Sequence, residues 1–248
     1  MPQRTALFTI YMPYHLPEYN IGHLMTTCKV SLREAEKGMR VLVQKNEISA
    51  HEDLGECQHT VKTLDFSKKV PGFFRAVAPS GSLTMTETSY NAFPRCSTHY
   101  TSGALSEKKF YARIDTMFFE GYREVENPFD TLPEVDRFEV LELATCPQLA
   151  ENFDVSTMKN DDGSLKFAPG WEKTASKVIT VFKRVQIDFH LMFIGGKYIE
   201  DIEKFMRKIF IQGHQEVLKY HNEWIGLSME DVRKEEERTK TILAAKYS

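Results

Sequence analysis

Lys183 interrupts an otherwise apolar set. In the segment Val178–Phe193, residues Ile179, Val181, Val185, Ile187, Phe189, Leu191 and Phe193 share its parity and all are apolar. Alternate residues of a strand share a face. The spacing therefore predicts a strand with one ammonium on its buried side. Thr180, Arg184, Gln186, Asp188 and His190 would form the wet face. An unpaired ammonium in a core is very costly, so an anionic partner is implied. Other segments repeat the pattern. Thr60 and Lys62 share parity with Leu64 and Phe66, and Thr116 lies with Phe110, Ala112, Ile114 and Phe118. Near the C-terminus, Met229, Val232, Glu236, Thr239 and Leu243 fall on one helical stripe. Two readings of this inward set stay open. One is a structural ion pair with satisfied core hydroxyls. The other is a bound phosphate with attached hydroxyls, with lysine as point charge, threonine as donor and glutamate as acceptor.

Catalytic chemistry has little to stand on. The chain contains no G-x-S-x-G, H-E-x-x-H, P-loop or G-x-G-x-x-G pattern. Cys96 and His99 are near in sequence, but that spacing on a strand is not a catalytic geometry, and a core thiol is the simpler reading. The eight histidines show no metal spacing. No catalytic residue, metal ligand or cofactor is expected.

The elements that must position the inward set follow from periodicity. Strands are expected at Thr5–Tyr11, Val41–Gln44, Gln58–Phe66, Leu83–Glu87, Arg95–Tyr100, Lys109–Phe119, Phe138–Thr145 and Val178–Phe193. Helices are expected at Leu16–Ala35, Lys197–Glu223 and Met229–Lys246, the last opened by Ser228 and Asp231 as a capping box. Val70–Leu83, with Pro71, Gly72, Pro79 and Gly81, reads as a loop. Residues 146–177 turn polar and read as a surface excursion. This order predicts one α+β domain over 1–248, a curved and mostly antiparallel sheet with long helices on its concave face.

Composition bounds the class. The 248 residues are 42% hydrophobic and 27% charged, with a net charge of −3. Disorder, collagen, coiled coil and a disulfide scaffold are excluded. Near-neutral charge argues against a nucleic-acid partner. The four cysteines are widely spaced and read as reduced thiols, which with no secretory pattern suggests the cytoplasm. No stretch approaches the roughly 18 apolar residues of a membrane span, so any membrane contact is expected from the surface. The aromatic load is high, 17 Phe, 10 Tyr and 2 Trp, and needs a core or a cavity wall.

Three motifs carry a family resemblance. The segment 70–83, Val-Pro-Gly-Phe-Phe-Arg-Ala-Val-Ala-Pro-Ser-Gly-Ser-Leu, resembles the lipid-exchange loop of phosphatidylinositol transfer proteins. Tyr90-Asn91-Ala92-Phe93-Pro94-Arg95-Cys96 is similar to a second motif of that family, and Trp224–Arg233 to the start of its last helix. The resemblance runs from Tyr19-Asn20-Ile21-Gly22 to Thr239-Lys240. It implies a START-like fold enclosing one phospholipid, a monomer that visits membranes transiently, and exchange of phosphatidylinositol or phosphatidylcholine without chemistry. Presentation of the lipid to a kinase and a START-like enzyme are the alternatives. By the same resemblance, Thr60, Lys62, Asn91 and Glu236 would contact the inositol. His23 (a glutamine in the family), Thr98, Thr116 and Lys183 would contact the phosphate, and Cys96 would stand at the cavity entrance. Phe73, Phe74, Leu191, Met192 and Phe193 would dock on the membrane. Leu191-Met192 stands where the family has tandem tryptophans, Gly213 where some members carry a phenylalanine that selects choline lipids. The chain ends soon after the last helix, where many members carry a tail.

Overall fold

The fold is known from a computed structural model that describes residues 3–67, 80–129, 134–190 and 195–247. Eight strands form one sheet: β1 (Gln3–Met12), β2 (Val41–His51), β3 (Gly55–Asp65), β4 (Thr84–Ala92), β5 (Arg95–Ser102), β6 (Phe110–Glu120), β7 (Arg137–Val140) and β8 (Ile179–Phe189). Their order is β2-β3-β4-β5-β6-β8-β1-β7. Every neighbouring pair is antiparallel except β1 with β7. The sheet is curved and unclosed. Three long helices, α1 (Leu16–Glu36), α3 (Gly195–Lys219) and α5 (Met229–Tyr247), pack on it; the short α2 (Trp171–Thr174) precedes β8, and the short α4 (His221–Trp224) lies between α3 and α5. This is the α+β architecture that the order of periodicities predicts.

Local chemistry explains the helix ends. The α1 N-terminus has Pro17 in its first turn, and its free N–H groups donate to carboxylates, His15 to Glu18 at 3.2 Å and Leu16 to Glu120 at 2.9 Å. It stops at Gly38, whose φ of +84° suits only glycine cheaply. At the start of α5, Asp231 accepts from Ser228 N–H at 2.9 Å and from its hydroxyl at 2.6 Å. Gly22 lets α1 approach the buried Trp224, since a Cβ there would lie 2.5 Å from the indole. The Trp224 ring is fixed by its N–H donating to Val217 O at 2.9 Å.

Several boundaries differ from those expected. β2 continues to His51 because the polar stretch 45–51 needs only its hairpin partner β3 to form. β4 likewise runs on to Ala92, although it has no apolar face. β7 ends at Val140, where a turn returns Thr145 and Cys146 N–H to Glu142 O. The long C-terminal helix breaks at Tyr220 into α3 and α4. The polar excursion is not confined to the surface: Val155 and Ala150 are buried, and Gln215 of α3 accepts N–H groups from Leu149 and Ala150 at 2.7 and 3.3 Å. The even face of β8 is not wet. The chain after β6 folds back over it, Phe129 packs on Leu7 and Phe182, and Thr180 bridges Arg123 N–H to Gly121 O.

Candidate functional site

Sheet register gathers the inward residues into cross-strand rows. Paired residues on neighbouring strands point to the same face. One row runs Gln58, Asn91, Cys96, Thr116, Lys183, Phe8 across β3, β4, β5, β6, β8 and β1. The next, one side-chain repeat away, is Asn46, Thr60, Ser89, Thr98, Ile114, Val185. The third holds Val43, Lys62, Glu87, Tyr100, Ala112 and Ile187. All three face the helices, since Phe8 packs edge-on against Phe210 of α3 at 5.5 Å. Gln58 and Lys183 are four strand spacings apart, about 19 Å along the backbone. Curvature and long side chains narrow that gap: the charges of both Lys183 and Lys62 act on His23 of α1.

Lys183 lies at the apolar end of its row. Its Nζ donates to Thr116 Oγ1 at 3.3 Å and sits 5.2 Å from the Phe210 ring centre and 6.0 Å from that of Phe118. The implied anionic partner is not supplied by the described residues; a hydroxyl and two aromatic faces take its place. Burial brings the ammonium down to about 8, against 10.5 for an ordinary lysine. His23 stacks on Tyr19 at 5.8 Å, and burial plus the neighbouring Lys183 and Lys62 hold its ring neutral, with a pKa of about 3. His214 stacks on the other side of the same cluster, 6.2 Å from Tyr19. It is held at about 3 by burial, Lys183 and His23. Its Nδ1–H donates to Phe210 O at 2.7 Å, which leaves a buried Nε2 lone pair with no partner among the described residues. Among the described residues the corner thus holds one cation, two neutral imidazoles and no acid.

The polar end is built differently. Lys62 has a carboxylate, Glu87 at 3.4 Å, which also accepts from Tyr100 OH at 2.7 Å. Glu236 of α5 accepts from Asn46 Nδ2 at 3.1 Å and from Arg233 at 2.6 Å. Asn46 Oδ1 accepts from Thr60 at 3.1 Å and from Gln58 at 2.7 Å. Between the ends, Ser89 Oγ lies 3.0 Å from Thr98 and 3.5 Å from Cys96. Burial pushes the Cys96 thiol up, and His99 points to the opposite face of β5, where it contacts Ser97 and Tyr111. Thiol chemistry between Cys96 and His99 is therefore ruled out by geometry. A pocket of about 480 Å³ adjoins this end, lined by Asn20, Leu24, Gln58, Asn91, Arg95 and Arg233 among others.

The structure thus brings Lys183 to Thr116, Thr98 to Cys96, and Thr60 to Glu236 through Asn46. It puts Asn91 in the Lys183 row, and it holds His23 under both lysines. Phe73, Phe74, Leu191, Met192 and Phe193 lie outside the described residues. Sequence reasoning missed Asn46, Glu87, Ser89 and His214. Glu87 and Ser89 sit in a strand with no apolar face to interrupt. His214 did leave a signal, one imidazole between Phe210 and Leu218 at helical spacing.

No described helix is long and apolar enough to cross a membrane. Comparison with known proteins gives this geometry its context. Residues 3–241 match the family model described as phosphatidylinositol transfer protein. The chain is 30% identical to phosphatidylinositol transfer protein 1 of Dictyostelium discoideum over 96% of this chain and 94% of that one. It is 28% identical to the human beta isoform, covering 95% and 92%, and 27% identical to the cytoplasmic phosphatidylinositol transfer protein 1 of Xenopus tropicalis, covering 94% and 72%. The chain belongs to the phosphatidylinositol transfer protein family.

Proposed function

We propose that residues 1–248 form a single cytoplasmic carrier domain, monomeric, that takes up one phosphatidylinositol, with phosphatidylcholine as a second ligand, and moves it between membranes it touches transiently. Family membership and the names of the relatives support phosphatidylinositol as cargo. The observation that carries the site is Lys183, a buried ammonium that has Thr116 and no carboxylate among the described residues. A lipid phosphate is the counterion that completes it. Thr98 and His23 flank it, and the inositol ring then reaches Thr60, Lys62, Asn91 and Glu236, with Cys96 at the entrance. No catalytic residue takes part and no cofactor is needed.

The physical task is to lower a barrier. Two acyl chains hold roughly 30 methylenes, and at ~0.8 kcal/mol each bare passage through water costs on the order of 20 kcal/mol. A carrier replaces water with an apolar wall, for which the aromatic load suffices. Phe73-Phe74 and residues 191–193 are the proposed membrane contacts, and segment 70–83 with α5 is the proposed gate. Exchange follows differential affinity and needs no ATP. The test is lipid movement between donor and acceptor vesicles. Lys62→Ala and Glu236→Ala should each abolish phosphatidylinositol transfer and spare phosphatidylcholine transfer. Equal loss of both lipids would overturn the headgroup assignment.

A further inference from the structure

β2 carries a register shift between Val43 and Lys45, with Gln44 as the extra residue. Without it, Asn46 would share the parity opposite to Val43 and point away from the helices. With it, Asn46 pairs with Thr60 and joins the inner face. The bulge therefore exists in the one place where it turns an amide toward Glu236.

All valences of that amide but one are committed. Oδ1 accepts twice, from Gln58 Nε2 at 2.7 Å and Thr60 Oγ1 at 3.1 Å, and Nδ2 donates once, to Glu236 Oε2 at 3.1 Å. The orientation is fixed, because a flipped amide would set its NH₂ against the Gln58 NH₂ and its oxygen against a carboxylate. This has a consequence for Thr60. Its hydroxyl hydrogen is spent on Asn46, so it can offer a ligand only lone pairs. Glu236 likewise offers only lone pairs, including those of Oε1, which has no partner among the described residues. Asn46 keeps one free N–H.

We propose that Asn46 is the positioning residue that sets headgroup selectivity, by fixing Thr60 and Glu236 as acceptors. Such a site demands a headgroup rich in O–H donors. A cyclic polyol satisfies it, since each hydroxyl donates to Thr60 or Glu236 and can accept the remaining Asn46 N–H. A trimethylammonium headgroup has no donor and leaves those acceptors unpaired, which a hydrogen-bonding site penalises heavily. Glu236 was expected with Thr60, Lys62 and Asn91 as an inositol contact; its carboxylate is held by an amide on the edge strand of the sheet. The inference rests on the proposed lipid cargo and names what discriminates within it.

The test loads purified full-length chain from vesicles holding equal phosphatidylinositol and phosphatidylcholine, then weighs the bound lipids by mass spectrometry. Wild type should hold mainly phosphatidylinositol. Asn46→Ala should shift the ratio at least about tenfold toward phosphatidylcholine. Thr60→Val should shift it as Asn46→Ala does. Asn46→Asp, of the same shape, serves if the alanine variant fails to fold, and should shift the ratio the same way. An unchanged ratio in the folded Asn46 variants overturns the inference while the cargo assignment stands. Wild type that loads no phosphatidylinositol overturns the cargo assignment itself.

Discussion

Lys183, half-buried, and Arg184, buried, are neighbours on β8 and face opposite ways. Arg184 meets a carboxylate, Asp115 Oδ2 at 2.8 Å, and Asp115 also accepts from Ser97 at 2.8 Å and Arg113 at 2.8 Å. Those donors hold the Asp115 carboxyl below its ordinary range although burial alone would raise it. Lys183 meets one hydroxyl and two phenyl rings, and its charge helps to keep His23 and His214 neutral. The outer cation has its counterion within the chain; the inner one has no carboxylate partner among the described residues, which is the ground for the proposed lipid phosphate. Lys62, with Glu87 at 3.4 Å, is intermediate, a cation that a ligand can share rather than one it must neutralise.

The contrast can be broken by mutation. Arg184→Met removes the most buried partner of Asp115 and leaves it only Arg113 and Ser97, so it should destabilise the fold by about 1.5–3 kcal/mol in denaturant titration. Lys183→Met, one residue away, should leave stability unchanged or raise it by about 1 kcal/mol, because it removes an unpaired buried charge. The same variant should lose about a hundredfold in phosphatidylinositol transfer between vesicles, the ~3 kcal/mol of a hydrogen bond to a charged group. If both variants destabilise equally, the two faces do not differ as described.

Proton titration sharpens the same contrast. The lipid-free chain holds Lys183 at about 8, below the 10.5 of an unfolded lysine. The unfolded state then binds more protons between those values, so stability should rise with pH across that window. A bound phosphate restores the ammonium, and the lipid-loaded chain should show no such rise. His23 and His214 at about 3 have the same sign lower down, since the unfolded imidazoles take protons first. Stability should fall as pH drops from 6.5 toward 3. Asp115 on the outer face, its pKa held down, adds loss in acid below the ordinary aspartate range. Melting temperatures of both forms against pH check these signs. The smallest effect is expected at Ser97, where alanine removes one buried hydrogen bond to Asp115 and should cost about 1 kcal/mol with transfer intact.

Much of the inner face was legible from alternation alone. Lys183, Thr116, Thr60 and Lys62 stood out because each broke a run of apolar residues of the same parity, and the structure keeps that parity. What stayed hidden lacks such contrast or breaks the period. The sequence Thr-Met-Thr-Glu-Thr-Ser-Tyr-Asn-Ala of β4 is polar on both sides, so Glu87 and Ser89 could not be told from solvent-facing residues. Asn46 follows a bulge that shifts parity by one, and nothing in Val-Gln-Lys-Asn announces it. The even face of β8 read as wet because its cover, Phe129 and Val135, comes from a segment about 50 residues earlier in the chain. Nothing local marks Gly22 as special; its reason is the Trp224 ring, 2.5 Å from where a Cβ would be and 202 residues away in the chain.

The central claim is that Lys183 is the anchor for a lipid phosphate. Its most direct test is extraction and quantification of the phospholipid that co-purifies with wild type and with Lys183→Met, each checked for a native melting transition. The account predicts phosphatidylinositol on wild type and none on the folded variant. The same lipid in the same amount on both would contradict it.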